Sequence, residues 1–501
     1  MKRFFRKSII WLICIAAVLA VGLALFYAEE DWRGMQDWTK CQRSLAAQGE
    51  TLDLRQLIPP GKPEDDLSKV PIFAELYQAN PDYPHDHQFE WYAYHWPHPR
   101  HKSRMNDLDV SLNASVYATR PDLIFSTKEK SFDLASWQKY YRSQPESQLT
   151  QPIGTPAQDV LKVLSRFDSD LTKIDGAVSN PSAYWPIQYD TPFISNLDGN
   201  VSMHRVAMIL TLRGIAHLEN DEVEQAEKDF FATSRLNRPL TKGCLLINYT
   251  VISTNQFRNN LLLSEGLRHH SWDDSQLREI ETSLASTDML ALAVDTLRIE
   301  RACTLGAISL VQRGECAQLR NAAGVGDFDK YGYYDSLRML NYRPSGEWDE
   351  EKAYYASSMQ KRIGSIHLAE GILDPSAFDL NKDNELSTGW NRLYRYVSWV
   401  QLPVIDAFGL DVARTETYRR LARLACRLEQ YHIAHGRYPD SLTDLPNLPP
   451  YLNQEVLSNQ PLHYQLKNNR YLLSSIGWDY KDGGGQSDPD ARKGDWPWPS
   501  P

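Results

Sequence analysis

Twenty consecutive residues from Ser8 to Tyr27, SIIWLICIAAVLAVGLALFY, carry no charge. Wound as a helix at ~1.5 Å per residue, such a run crosses a hydrocarbon layer of ~30 Å. Lipid offers the backbone no water to bond, so a single span must satisfy its N–H and C=O groups internally and is helical. Lys2, Arg3, Arg6 and Lys7 precede the run, and Glu29, Glu30 and Asp31 follow it. The positive-inside tendency then keeps the N-terminus in the cytoplasm and sends the remainder across the membrane. A cleaved secretory signal is the competing reading, but its apolar core is ~7–15 residues long and ends in small residues before the cut. A cut after Ala28 would place Phe26 where a small residue is needed, and Ile13 before Cys14 does not suit lipoprotein processing. Residues 1–28 therefore read as an uncleaved signal anchor of a single-pass protein.

The 501 residues exceed the size at which one core stops growing, ~250–300 residues, so more than one packed unit is expected. With 42% hydrophobic and 24% charged residues the composition is that of a globular chain. The net charge of −10 and the lack of a Lys/Arg block beyond the first seven residues exclude a nucleic-acid footprint. Of six cysteines, Cys14 lies in the apolar run, and the other five are an odd set. Cys303 and Cys316 are the nearest candidates for a bridge, and buried free thiols are the alternative.

Beyond the anchor, Trp32, Met35, Trp38, Cys41 and Leu45 recur at helical steps and Gly49 closes the run, which predicts a juxtamembrane helix. The stretches LIPPGKPEDD, NPDYPHDH and HWPHPRH then break any long period, so 29–150 reads as that helix followed by an irregular segment. An α-helical domain is expected over 151–410. Its start signals are Thr155-Pro156-Ala157-Gln158 and Asp273 ahead of Gln276, both with the spacing of a capping box. Between them, Gly214, Ala226 and Phe230 in LTLRGIAHLENDEVEQAEKDFFATSRL stand at the spacing of the packing positions of a tetratricopeptide repeat, which the segment resembles. Arg213, His217 and Pro239 depart from that pattern, and an ordinary helical hairpin is the alternative. Helices are also expected near 350–371 and 390–405.

Residues 411–501 read as a small α+β module. DVARTETYRRLARLACRLEQYHIAHG predicts a helix over 411–435 with Gly436 as its stop, and LHYQL and RYLLSSIG predict a hairpin around Lys467-Asn468-Asn469. The loop SIGWDYKDGGGQSDPD follows. Leu428, Tyr431, Gly436, Tyr438 and Pro439 at the helix exit, with Tyr471, Ser475, Gly477, Asp479, Gly483, Gly484 and Trp496 beyond it, make this tail resemble the globular end of the type II secretion major pseudopilin. The resemblance implies a structural calcium ion held by the Ile476 carbonyl, Asp479 and some of Asp488, Asp490 and Asp495. Oxygen ligands on a Gly-rich loop suit that ion; a solvated acidic turn beside Lys481, Arg492 and Lys493 is the alternative. The pseudopilin leader, its Gly-Phe cleavage site and its helix-start Glu have no counterpart here, and residues 29–410 separate the span from the matching helix. Polymerisation as a pilus subunit is therefore not implied. The whole layout also resembles bacterial single-pass envelope proteins, a resemblance that brings no activity but implies an inner-membrane, periplasm-facing location.

Two further constellations are weak. His85, His87, His95, His98 and His101 could supply an open zinc site of the kind metal-dependent hydrolases use, but they fit no fixed spacing and are interleaved with Trp91, Tyr92, Tyr94 and Trp96. Asp379, Asn381 and Asp383 open like a calcium loop, yet position twelve is Trp390 rather than Glu. Glu300-Arg301 could be a buried ion pair or a catalytic acid. No nucleophile elbow, H-E-x-x-H helix, phosphate loop or complete dinucleotide motif occurs, so no catalytic residue is assigned. The expected protein is mainly α, with helical hairpins including one tetratricopeptide-like pair, an N-terminal transmembrane helix and a pseudopilin-like α+β tail. Its expected role is a membrane-anchored extracytoplasmic scaffold with a protein partner and a structural calcium ion. An extracytoplasmic hydrolase and a secretion or pilus accessory factor are the alternatives.

Overall fold

The computed structural model describes residues 2–58, 61–71, 73, 133–143, 149, 154–187, 189, 198–315, 343–378, 394–488 and 490–499. Within them the chain is mainly helical, with two small antiparallel sheets. In chain order the helices are α1 (Lys2–Ala47), α2 (Leu54–Leu57), α3 (Leu134–Ser143), α4 (Pro156–Leu164), α5 (Asp168–Val178), α6 (Asp198–Glu219), α7 (Val223–Thr241) and α8 (Leu246–Arg268). They continue with α9 (Asp274–Ala285), α10 (Met289–Gln312), α11 (Ser345–Gly364) and α12 (Tyr396–His435). The strands are β1 (Ile366–His367), β2 (Ile372–Leu373), β3 (His463–Lys467), β4 (Arg470–Ser475) and β5 (Trp496–Pro497).

The anchor and the juxtamembrane helix are one unbroken rod, α1. Its first half is bare, with Trp11, Val18, Leu19 and Leu25 between 67% and 71% exposed, and among the described residues it is the one helix long and apolar enough to cross a membrane. Its second half lies along α11. Two glycines set the approach: a Cβ on Gly34 would fall 1.9 Å from the Gly346 carbonyl oxygen, and a Cβ on Gly346 would fall 2.0 Å from the Glu30 carbonyl oxygen. The Gly346 N–H donates to Asp31 at 2.8 Å, and Arg33 joins Glu30 on its own helix to Glu350 on α11. Leu45 ends this face at 3% exposure, and Gly49 closes the helix in the left-handed region at φ 77°. Glu30 and Asp31, which the sequence shows only as charges past the span, are thus docking residues.

Local signals start the helices of the body where expected. Thr155 accepts the Gln158 N–H at 3.3 Å while the Gln158 side chain accepts the Thr155 N–H at 3.3 Å, and Asp273 and Gln276 repeat the box at 2.8 and 3.1 Å. α6 and α7 form an antiparallel hairpin that packs on α8. Gly214 lets α8 close in, since a Cβ there would lie 2.7 Å from Leu262 Cδ2. Ala226 and Phe230 are fully buried. Arg213, where the repeat pattern has an apolar residue, instead ties the hairpin together through Asp229 on α7 at 2.5 Å and reaches Asp168 on α5 at 2.7 Å.

α8, α9, α10 and α11 pack against α12. This helix is continuous for 40 residues, so the break expected between 405 and 411 does not occur. Pro403 lies inside it, removing one backbone donor without ending the helix. Gly436 stops it at φ 72°, its N–H bonded to the His432 carbonyl. Asn468 and Asn469, at φ 54° and 57°, then make the two-residue turn joining β3 to β4, with Lys467 opposite Arg470. β5 adds to β4 through Ser474–Pro497 and Ser475–Trp496, giving the order β3-β4-β5. Tyr471, Leu473 and Trp496 of this sheet, with Trp498 just beyond it, belong to the same continuous core as the helices.

Candidate functional site

The loop between β4 and β5 is built on glycine. Gly477 and Tyr480 turn left-handed at φ 72° and 58°, and a Cβ on Gly477 would fall 2.3 Å from the Gly494 carbonyl oxygen, so the two arms of the loop touch. Ser487 bridges Gly494 across the same gap. Below the loop, buried Glu455 fixes its entry by accepting the Ser475 hydroxyl at 2.5 Å and the Ile476 N–H at 3.0 Å. Burial raises the Glu455 pKa above the ordinary carboxylate value, and these two donors counter part of the rise.

The glycine run has a direct function within the loop. Asp495 is 1% exposed, and its carboxylate accepts the Gly483 N–H at 2.9 and 3.1 Å and the Gly485 N–H as well. Gly484 and Gly485 reach φ 66° and 81°, which aims N–H groups inward at an anion. Asp479 accepts Lys481 N–H at 3.1 Å and Gly494 N–H at 3.3 Å, tying the two arms together. Asp488 accepts Asp490 N–H at 2.8 Å, and Asp490 accepts Arg492 N–H at 3.1 Å; both residues are exposed. The Arg492 N–H, with Lys493 beside it, holds the Asp490 carboxyl below the ordinary value. The loop carries every carboxylate expected of a calcium site but engages each with backbone donors. The all-oxygen chemistry of Ile476, Asp479, Asp488 and Asp490 suits calcium, whereas Asp495 in this arrangement serves the glycines and does not fit as a ligand.

Aromatic side chains pack on one another at the exit of α12. The Tyr438 ring meets Tyr471 edge-on at 5.0 Å, and Tyr464 donates to the Pro439 carbonyl at 2.7 Å. Trp496 donates to the Ala491 carbonyl at 3.2 Å. Elsewhere, Glu300 and Arg301 serve different partners. Arg301 binds Glu50 at 2.7 Å and Gln360 at 2.5 Å. Glu300 accepts the Leu246 N–H at 2.7 Å at the start of α8, and burial pushes its carboxyl up to about 7. Cys303 is buried. His85 to His101, Asp379 to Trp390 and Cys316 lie outside the described residues.

Sequence reading missed one cluster. Among the described residues, His270, Glu429 and His432 are the set of metal-ligating side chains whose atoms come within 4.8 Å of one another. The Glu429-x-x-His432 spacing was the available signal, since i and i+3 share a helix face; His270 joins it only through the tertiary fold. Comparison with family profiles, with curated proteins and with solved structures gives no match.

Proposed function

We propose that this protein is a membrane-tethered extracytoplasmic scaffold or interaction protein of a bacterial inner membrane, with its N-terminus in the cytoplasm. The observation that carries the reading is α1, bare and apolar over residues 9–26 and docked on α11 from Glu30 onward. Because the rod enters the body with no flexible linker, the body is held at a set height and orientation above the bilayer. That geometry suits a protein that presents a surface to a partner at the membrane. No catalytic group is assigned.

Proximity labelling from a C-terminal fusion in the native cell tests this reading. It should tag extracytoplasmic proteins, and the tagged set should shrink when Gly346→Val loosens the dock; a cytosolic set would overturn the reading. Calcium at the C-terminal loop is a second proposal, favoured by the all-oxygen donor types of Ile476, Asp479, Asp488 and Asp490 on one glycine-rich loop. Chelation should then lower the melting temperature, and Asp479→Ala should abolish that response. An unchanged melting temperature would remove calcium from the account.

A further inference from the structure

His270 sits just past α8, at φ 51°, in the left-handed region that non-glycine residues enter only when the surroundings hold them there. The surroundings do hold it. The His270 N–H donates to Leu267 O at 3.2 Å, and the Ser271 N–H donates to Gly266 O at 2.8 Å. Trp272 anchors the turn by donating to Leu263 O at 3.1 Å, with its indole seated over Gly266, where a Cβ would fall 2.1 Å from Trp272 Nε1. The turn thereby delivers the imidazole to the last turns of α12. There His270 Nδ1 lies 2.6 Å from Glu429 Oε1, and His432 Nδ1 lies 3.9 Å from the same oxygen.

The neighbours of these groups are set up as a ligand shell needs. Glu429 is buried, with 2% of its side chain exposed. Its other oxygen, Oε2, accepts the Tyr438 hydroxyl at 2.8 Å. That bond fixes the carboxylate and leaves Oε1 facing both imidazoles, the outer-shell arrangement that orients metal ligands. The His432 ring is stacked between His270 at 4.9 Å and Tyr438 at 4.7 Å, which restricts its rotation. The His270 side chain is 49% exposed, so one side of the cluster opens to solvent.

We propose that His270, Glu429 and His432 bind one divalent transition-metal ion of the zinc class, with water completing the coordination. Two imidazoles and one carboxylate suit zinc, while calcium and magnesium prefer oxygen alone. Bonds of ~2.0–2.2 Å in tetrahedral geometry require ligand atoms roughly 3.4 Å apart. The two imidazole-to-carboxylate separations, 2.6 and 3.9 Å, bracket that spacing, and the three ligand atoms all lie within 4.8 Å of one another, so imidazole shifts of about 1 Å admit the ion. The ion would clasp the turn after α8 to the end of α12, next to the tail module. The competing account is a metal-free hydrogen-bonded link from His270 through Glu429 to Tyr438. This proposal is independent of membrane topology and of the calcium loop.

The full chain in detergent, stripped with chelator and then titrated with Zn²⁺ alone and with Co²⁺ alone, decides between them. A background with His85, His87, His95, His98 and His101 replaced by Gln removes the other histidine cluster. In that background one ion per chain should bind, and Co²⁺ should give the intense visible bands of low coordination. His270→Asn keeps a residue that tolerates positive φ, and with His432→Gln it should each weaken binding at least about tenfold, as expected for loss of a ligand. Tyr438→Phe should weaken it by about tenfold, as loss of an orienting outer-shell bond does. All three variants should keep the helical circular dichroism of the parent. No stoichiometric binding in the background chain, or binding that His270→Asn and His432→Gln leave unchanged, would overturn the proposal.

Discussion

The two ends of the chain are fastened to the same helical body by opposite means. At the N-terminal end, α1 and the turn after it are held by residues between 248 and 317 positions away: Asp31 by Gly346, Arg33 by Glu350, Cys41 by Ala353 and Glu50 by Arg298 and Arg301. At the C-terminal end, most of the loop's bonds are local, with Asp479, Asp482, Asp488 and Asp490 each accepting an N–H two residues on. Asp495 gathers donors only ten and twelve residues back. The first fastening depends on close backbone approach and desolvated charge, so a small change should release a whole helix. The second is divided among many bonds, so each change should act locally.

The largest effect should come from Gly346→Val. Its side chain meets the Glu30 carbonyl and the Asp31 Cα with no flexible atom to give way. Overpacking of this kind costs about 3 kcal/mol, and limited proteolysis should cut near residues 47–53 as the rod detaches. If the tail loosens equally, the contrast between the ends is wrong.

A pH effect should follow the same side of the molecule. Burial keeps Glu300 protonated up to about 7 against an ordinary 4.5, and Asp411 up to about 6 against 3.8. The folded state holds protons that the unfolded chain releases, so this stability is full below 3.8 and is lost as pH rises from there to about 7. Denaturant midpoints should fall across that window, and Glu300→Gln should flatten the fall. Glu300 adjoins Arg301, the partner of Glu50, and amide exchange should therefore rise at residues 45–51 before it rises in the tail.

Asp495→Asn should cost about 2 kcal/mol, the scale of charge-assisted bonds lost at a buried carboxylate. Amide exchange should quicken over 477–496 while α1 and α11 keep their protection. Smallest of the four, Asn468→Ala places an alanine at φ 54°, and the left-handed strain is about 1 kcal/mol. It should lower the melting temperature slightly and leave the protection of α1 and α11 unchanged.

What could be read in advance divides along the same line. The caps at Thr155 and Asp273, the stop at Gly436 and the turn at Asn468-Asn469 are encoded by residues within a few positions of one another, and each occurs where expected. The α1 dock is different. Gly34 and Gly346 are unremarkable as single letters, and their meaning arises only when two helices cross. The Asp-Gly-Gly-Gly stretch announced a site, but its composition does not say whether the backbone presents carbonyls or N–H groups. The φ angles of Gly484 and Gly485 present N–H groups to Asp495. The histidine-rich stretch of the sequence lies at 85–101, whereas the cluster within ligand reach joins a helix end to a turn 159 residues earlier.

The central claim is that residues 9–26 lie in the bilayer and carry the body to its outer side. Carbonate-washed membranes, followed by protease added from the extracytoplasmic face, test it most directly. The intact chain should pellet with the membranes, and digestion should remove everything beyond the span and leave the N-terminal end protected. Recovery of the intact chain in the soluble fraction, or a body that resists protease from outside and yields to it from the cytoplasmic face, would contradict the account.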